Sequence, residues 1–259
     1  MDFWTEDHTG VHFGGISLHH IDLSNELHVF VLGCYPYDEN DQKASTIRAF
    51  VEHILAEYGL TLDDNKYVMS DNEGKMKCAF NYQCKRIGCS SHYLNKQLEH
   101  AFTSETIDRQ PVDCIEVQTL FKHVKTLVGH IRRSHKQVNL KRKLQTYSDT
   151  RFNGAFVMLD IFLIVFDELF PIISNAHLQD FLNVDKSFLQ EICKFLVPFD
   201  EVFQQISDTK RPTLHRVIPF RQYLINLCKI KPDDHSGIEK LKKFLGKKKR
   251  YRTLFNDYD

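Results

Sequence analysis

The chain carries no excess of charge: Lys+Arg and Asp+Glu both total 34 over 259 residues. Net charge therefore argues neither for nor against a polyanionic partner, and only local clustering speaks to one. No apolar run is long enough for a bilayer. The longest, residues 156–166, is interrupted by Asp160 and followed by Asp167 and Glu168, whereas a spanning helix needs roughly 20 apolar residues. No apolar leader stands at the N-terminus, and seven cysteines is an odd number. Secretion and a full disulfide framework are thus not expected. No fixed-period repeat is visible. What is present is ordinary globular material, 42% hydrophobic and 12% aromatic, with length for one large domain or two modest ones. The expectation is a reduced, intracellular, soluble protein without a membrane segment.

Residues 11–22 and 27–37 read as two strands around the turn formers Asp22 to Glu26, following a short strand that opens at Asp2. Ile47, Phe50, Val51, Ile54, Leu55 and Tyr58 recur at helical spacing, and Gly59 closes that helix. Tyr67-Val68-Met69 predicts a buried strand ending at Asp71. A short helix over 73–80, a strand over 84–89 and a helix over 91–102 follow. Beyond residue 103 the pattern becomes helical throughout. Leu120, Val124, Leu127, Val128 and Ile131 share one face, and Phe156, Leu159, Phe162, Leu163, Phe166 and Phe170 share another. Pro171 is expected to end the second of these helices, and Pro198 a third that carries Phe188, Leu189, Ile192, Phe195 and Leu196. Pro219 is expected to bend or restart a fourth, over 214–227. The fold class is thus α/β plus all-α, with domains at 1–103 and 104–259.

Asp2 and Asp71 each stand where an extended run meets a turn. If their strands are neighbours, both carboxylates project from one sheet edge and can share Mg²⁺, a hard cation that prefers carboxylate oxygen. Singly, either aspartate suits a turn or a helix cap equally well. Cys89-x-x-His92 lacks the paired ligand spacing of a zinc finger or knuckle, so a local structural role is preferred and zinc is not expected there. Basic residues gather in two stretches. One includes Arg132 and Arg133, interleaved with histidines; the other, near the C-terminus, includes Lys247, Lys248, Lys249 and Arg250. Each suits phosphate contact, and each also suits a solvated surface. Arg151-Phe152 offers a guanidinium and a ring for base stacking, or a staple at a helix entry.

Taken together, these stretches resemble the motifs of hAT-superfamily DNA transposases. Asp2-Phe3-Trp4-Thr5 resembles their Asp-x-Trp-Thr, and Ser70-Asp71-Asn72-Glu73-Gly74-Lys75-Met76 their Thr-Asp-Asn-x-x-Asn-Met. Cys89-Ser90-Ser91-His92-Tyr93-Leu94-Asn95 is similar to Cys-Ala-x-His-x-Leu-Asn, and Thr150-Arg151-Phe152-Asn153 to Thr-Arg-Trp-Asn. Phe195-Leu196-Val197-Pro198-Phe199 is similar to Leu-Leu-x-Pro-Phe. The resemblance implies a ribonuclease-H-like mixed sheet core followed by an all-α insertion. It also implies nuclear DNA cleavage and joining, with Mg²⁺ held by two Asp and one Glu. Asp2 and Asp71 match the two aspartates, and Cys89 and His92 the signature pair beside them. Phe152 departs from the family's tryptophan. In the family the glutamate lies after the insertion, and no third acid is identified before Asp259. No BED-type zinc finger precedes Asp2. The expectation is therefore a truncated or domesticated, transposase-derived nucleic-acid-binding protein, inactive alone. Its partners would be DNA and an oligomer or a full-length transposase. The alternative is a protein-interaction module of transposon origin that binds no DNA.

Overall fold

The computed structural model describes residues 1–6, 8–148 and 153–247. It divides into two compact units, Met1–Tyr93 with Asp208–Pro212, and Leu94–Ser207 with residues 213–247. The fold is mixed α/β, with small sheets and, among the described residues, ten α-helices.

In the first unit, strands β1 (Asp2–Thr5), β2 (His12–Ile21) and β3 (Leu27–Pro36) form an antiparallel sheet in the order β1-β2-β3. Asn25 holds φ at 63° in the turn between β2 and β3, a conformation asparagine tolerates better than most residues. Helix α1 (Ala44–Glu57) buries Ile47, Val51, Ile54 and Leu55. Its end follows from Gly59, whose φ of 66° lets the Leu60 and Gly59 N–H groups close on the carbonyls of Leu55 and Ala56. Gly14 lets α1 lie close on the sheet: a Cβ there would sit 2.6 Å from the Phe50 ring. Phe3, Tyr37 and Phe50 pack together in that space, with ring centroids 5.0–5.9 Å apart. Strand β4 (Tyr67–Ser70), helix α2 (Gly74–Ala79) and strand β5 (Lys85–Gly88) form a parallel crossover, with Tyr67 opposite Lys85 and Ser70 opposite Gly88. The Met1 nitrogen donates to the Met69 carbonyl at 3.0 Å, which sets the start of β1 beside β4.

Helix α3 (Ser90–Thr103) leads into the second unit. A two-residue-per-strand ribbon, β6 (Thr106–Ile107) and β7 (Gln110–Pro111), interrupts the otherwise helical stretch. Helices α4 (Ile115–Arg133), α5 (Gly154–Ile164), α6 (Phe166–Leu169), α7 (Leu178–Leu182), α8 (Lys186–Ile206), α9 (Leu214–Leu227) and α10 (Ser236–Leu245) follow. The α4 face read from spacing is buried, and it joins Leu159, Phe162, Leu189, Leu196 and Phe199 in one core. Phe170 does not belong to that core; it is 60% exposed.

The proline expectations need correction. Helix α8 runs through Pro198 to Ile206, and α9 runs through Pro219 without restarting. A proline inside a helix costs about 3 kcal/mol. Beyond Pro198, α8 buries Phe199, Val202 and Phe203, and each such side chain returns about 1.5–3 kcal/mol. Burial therefore wins over the missing N–H. The helix expected to reach Pro171 instead breaks at Val165, and Pro171 lies in a 3₁₀ turn over Phe170–Ile172.

Candidate functional site

The first unit brings Asp2, Asp71, Cys89 and His92 into one electrostatic neighbourhood. Asp71 follows β4, and its Oδ1 accepts the Glu73 N–H at 3.1 Å, which turns the chain toward α2. Asp2 Oδ1 accepts the Phe3 N–H at 3.0 Å. Cys89 extends the β4–β5 ladder by one bond, its N–H donating to Ser70 at 2.8 Å. Asn72 Nδ2 donates to the Cys89 carbonyl at 3.0 Å. Gly88 is needed for that approach, because a Cβ there would lie 2.0 Å from Asn72 Oδ1. Arg86 is a residue that sequence reasoning missed. From β5 its guanidinium donates to Ser70 Oγ at 3.0 Å and to the Asp71 carbonyl, fixing the backbone that carries Asp71. Its only signal in the sequence is a charge inside a short strand, which spacing alone does not separate from a surface arginine.

Partial loss of hydration raises the Asp2 pKa above the ordinary 3.8. The Phe3 N–H pulls it back, and the Asp71 charge pushes it further up. This makes Asp71 and Asp2 mutually repulsive neighbours. Burial likewise raises the Cys89 thiol above 9.0, although the His92 and Ser91 N–H groups favour its anion.

A carboxylate whose folded pKa is raised destabilises the fold above that pKa, and the cost disappears as pH falls toward the unfolded value. Asp2→Asn is thus expected to raise the urea midpoint at pH 7 and to have less effect near pH 4. The gain is modest, because the side chain keeps solvent contact. A lower midpoint at pH 7 contradicts the repulsion just described.

The donor set suits a hard divalent cation in part. Each aspartate commits Oδ1 to a backbone N–H and leaves Oδ2 without a hydrogen bond among the described residues. Two carboxylates are two of the three acids a two-metal centre uses. Among the described residues, no third His, Cys, Asp or Glu completes a group with them. Glu73 pairs with Lys75 at 3.1 Å and Glu99 with Lys96 at 2.7 Å.

In the second unit, Arg132 and Arg133 are exposed in the last turn of α4, where they also complement the helix dipole. Lys247 is exposed after α10. Arg151, Phe152, Lys248, Lys249 and Arg250 lie outside the described residues. Two of the sequence motifs meet in the chain's own bonding. The Asn153 N–H donates to Asn95 Oδ1 at 3.0 Å, and Asn153 Nδ2 donates to Asp200 Oδ1 at 2.7 Å. These asparagines are 92% and 96% buried, so the bond between them is structural support for the entry of α5.

With this geometry in place, the likeness of the chain to known proteins supports a hAT-like transposase relationship. The chain is similar to the Hobo transposase, a transposable-element protein of Drosophila melanogaster, at 24% identity over 228 residues. That match covers 88% of the chain, which spans about a third (33%) of the length of the curated relative. No family model matches the sequence. No described helix is long and apolar enough to cross a membrane.

Proposed function

We propose that this chain is a transposase-derived nucleic-acid-binding protein whose Asp2–Asp71 pair is an incomplete two-metal site. The reading rests on one contact: the Met1–Met69 hydrogen bond, which sets the start of β1, where Asp2 stands, beside the end of β4, which Asp71 follows. The Met1–Met69 bond supports a strand order β3-β2-β1-β4-β5, that of a ribonuclease-H-like sheet. Asp2 and Asp71 would hold Mg²⁺, which supplies charge neutralisation at a phosphoryl centre when bound. With two acids, retention of the ion is weak, and strand cleavage by this chain alone is not expected. A full-length transposase partner would supply the third acid. The nucleus is the compartment this chemistry requires.

Arg132 and Arg133 are the described residues proposed to contact phosphate, beside Lys247. The test is a gel shift of labelled duplex across a salt series. Retardation is expected at low salt, with charge reversal of both arginines lowering the salt slope by about two. No shift even at low salt removes the DNA reading. Mg²⁺- or Mn²⁺-dependent nicking that disappears in Asp71→Ala overturns the claim of inactivity. The protein-interaction alternative has an observation of its own: α9 exposes Leu214 (44%), Ile218 (60%) and Tyr223 (45%).

A further inference from the structure

A second constellation lies at the tip of the β2–β3 hairpin, on residues no motif picked out. The register sets His20 opposite His28 and Ile21 opposite Leu27. The Asp22 N–H donates to the Glu26 carbonyl at 3.1 Å, which continues the pairing by one step. Because strand side chains alternate with a period of two, His20, Asp22, Glu26 and His28 all stand on one face. Ligand atoms of Asp22, Glu26 and His28 lie within 4.8 Å of one another. The His20 and His28 rings stack at 6.4 Å with a 28° interplanar angle.

Asp22 is pre-oriented for this role. Its Oδ1 accepts the Ser24 and Glu26 N–H groups, both at 2.9 Å. Its Oδ2 is left to face His28 Nε2, also at 2.9 Å. A carboxylate whose other oxygen is anchored by backbone donors loses little freedom on binding an ion. The tip otherwise has little to hold it: Leu18–Ile21 and Leu27–Val31 contain no buried residue. An ion at this position would join the two strands where packing does not.

We infer that His20, Asp22, Glu26 and His28 form a binding site for a borderline divalent cation of the Zn²⁺ class, which staples the hairpin tip. Two imidazoles with two carboxylates make an N₂O₂ set, which suits Zn²⁺ and disfavours Mg²⁺ or Ca²⁺. Tetrahedral ligands around Zn²⁺ stand about 3.3 Å apart. The Asp22–His28 pair is already at that scale, and the exposed Glu26 and His20 need only rotate toward it. The site shares no residue with the Asp2–Asp71 pair, and it does not depend on the nucleic-acid reading.

The test is Zn²⁺ titration of the full chain by calorimetry, paired with hydrogen exchange of the hairpin amides. One equivalent of Zn²⁺ is expected to bind and to slow exchange over residues 18–31. Glu26→Gln and His28→Ala are each expected to lower affinity by about tenfold or more and to abolish that protection. Glu26→Gln breaks no side-chain hydrogen bond of the fold, so its effect cannot come from unfolding. No uptake, or uptake that persists equally in both hairpin variants, overturns the assignment.

Discussion

Phe162→Ala is expected to lower the stability of the helical unit by about 3–5 kcal/mol. Phe162 is fully buried in α5, and its ring meets Phe166 edge-on at 5.9 Å. It lies within the continuous core that includes Leu127, Leu159 and Leu196. Truncation removes the apolar surface and also leaves a cavity that close-packed neighbours fill only partly. Phe170→Ala is the internal comparison. That ring is 60% exposed, and its loss is expected to stay within about 0.5 kcal/mol. Urea unfolding followed by far-ultraviolet circular dichroism separates the two. Because the chain forms two compact units, a biphasic transition is to be fitted as such, with the loss falling on one phase. Equal midpoints for the two variants contradict the packing described.

Arg48→Ala is expected to destabilise the first unit by about 2–4 kcal/mol. Arg48 is 3% exposed although it sits on α1 as a formal charge. Its guanidinium donates to the Tyr82 carbonyl at 3.0 Å and the Ala79 carbonyl at 3.4 Å, and its Nε donates to Glu52 at 2.5 Å. It also lies 4.9 Å from the Tyr82 ring centroid. The residue thus ties α1 to the segment that enters β5, the strand bearing Arg86 and leading to Cys89. Removing it orphans two carbonyls, each costing about 1–3 kcal/mol if left buried and unpaired. Arg48→Met refills the volume without the donors and is expected to recover only part of the loss. Glu52→Ala is expected to cost about 1 kcal/mol or less, since that carboxylate is 48% exposed. If Arg48→Met matches the parent protein in urea, the carbonyl contacts contribute nothing to stability.

Legibility in the sequence followed the range of the interaction involved. Helix α1 was readable because Ile47, Val51, Ile54 and Leu55 repeat at helical spacing and Gly59 supplies the left-handed stop; both signals lie within a few residues. The passage of α8 through Pro198 was not readable. Local propensity forbids it, and what overrules that propensity is burial of Phe199, Val202 and Phe203 against distant chain. The motif residues Asn95 and Asn153 resembled separate signatures and proved to be hydrogen-bonded to each other, with Asp200 as the second partner of Asn153. The hairpin tip was missed for another reason: its four side chains become a group only once register assigns them to the same face, and no ligand spacing in the linear order announces it.

Composition and periodicity were enough, before any coordinates, to indicate a mixed α/β start and a helical continuation. Those properties arise from residue volumes and from repeats of two or 3.6, which are local. The Met1–Met69 bond that sets β1 beside β4, the clamp of Arg86 and the common face of His20 and His28 came only from the folded chain. Each depends on strand pairing between segments that are remote or register-sensitive, and hydrogen-bond geometry across a sheet is not written in the spacing of neighbours along one strand.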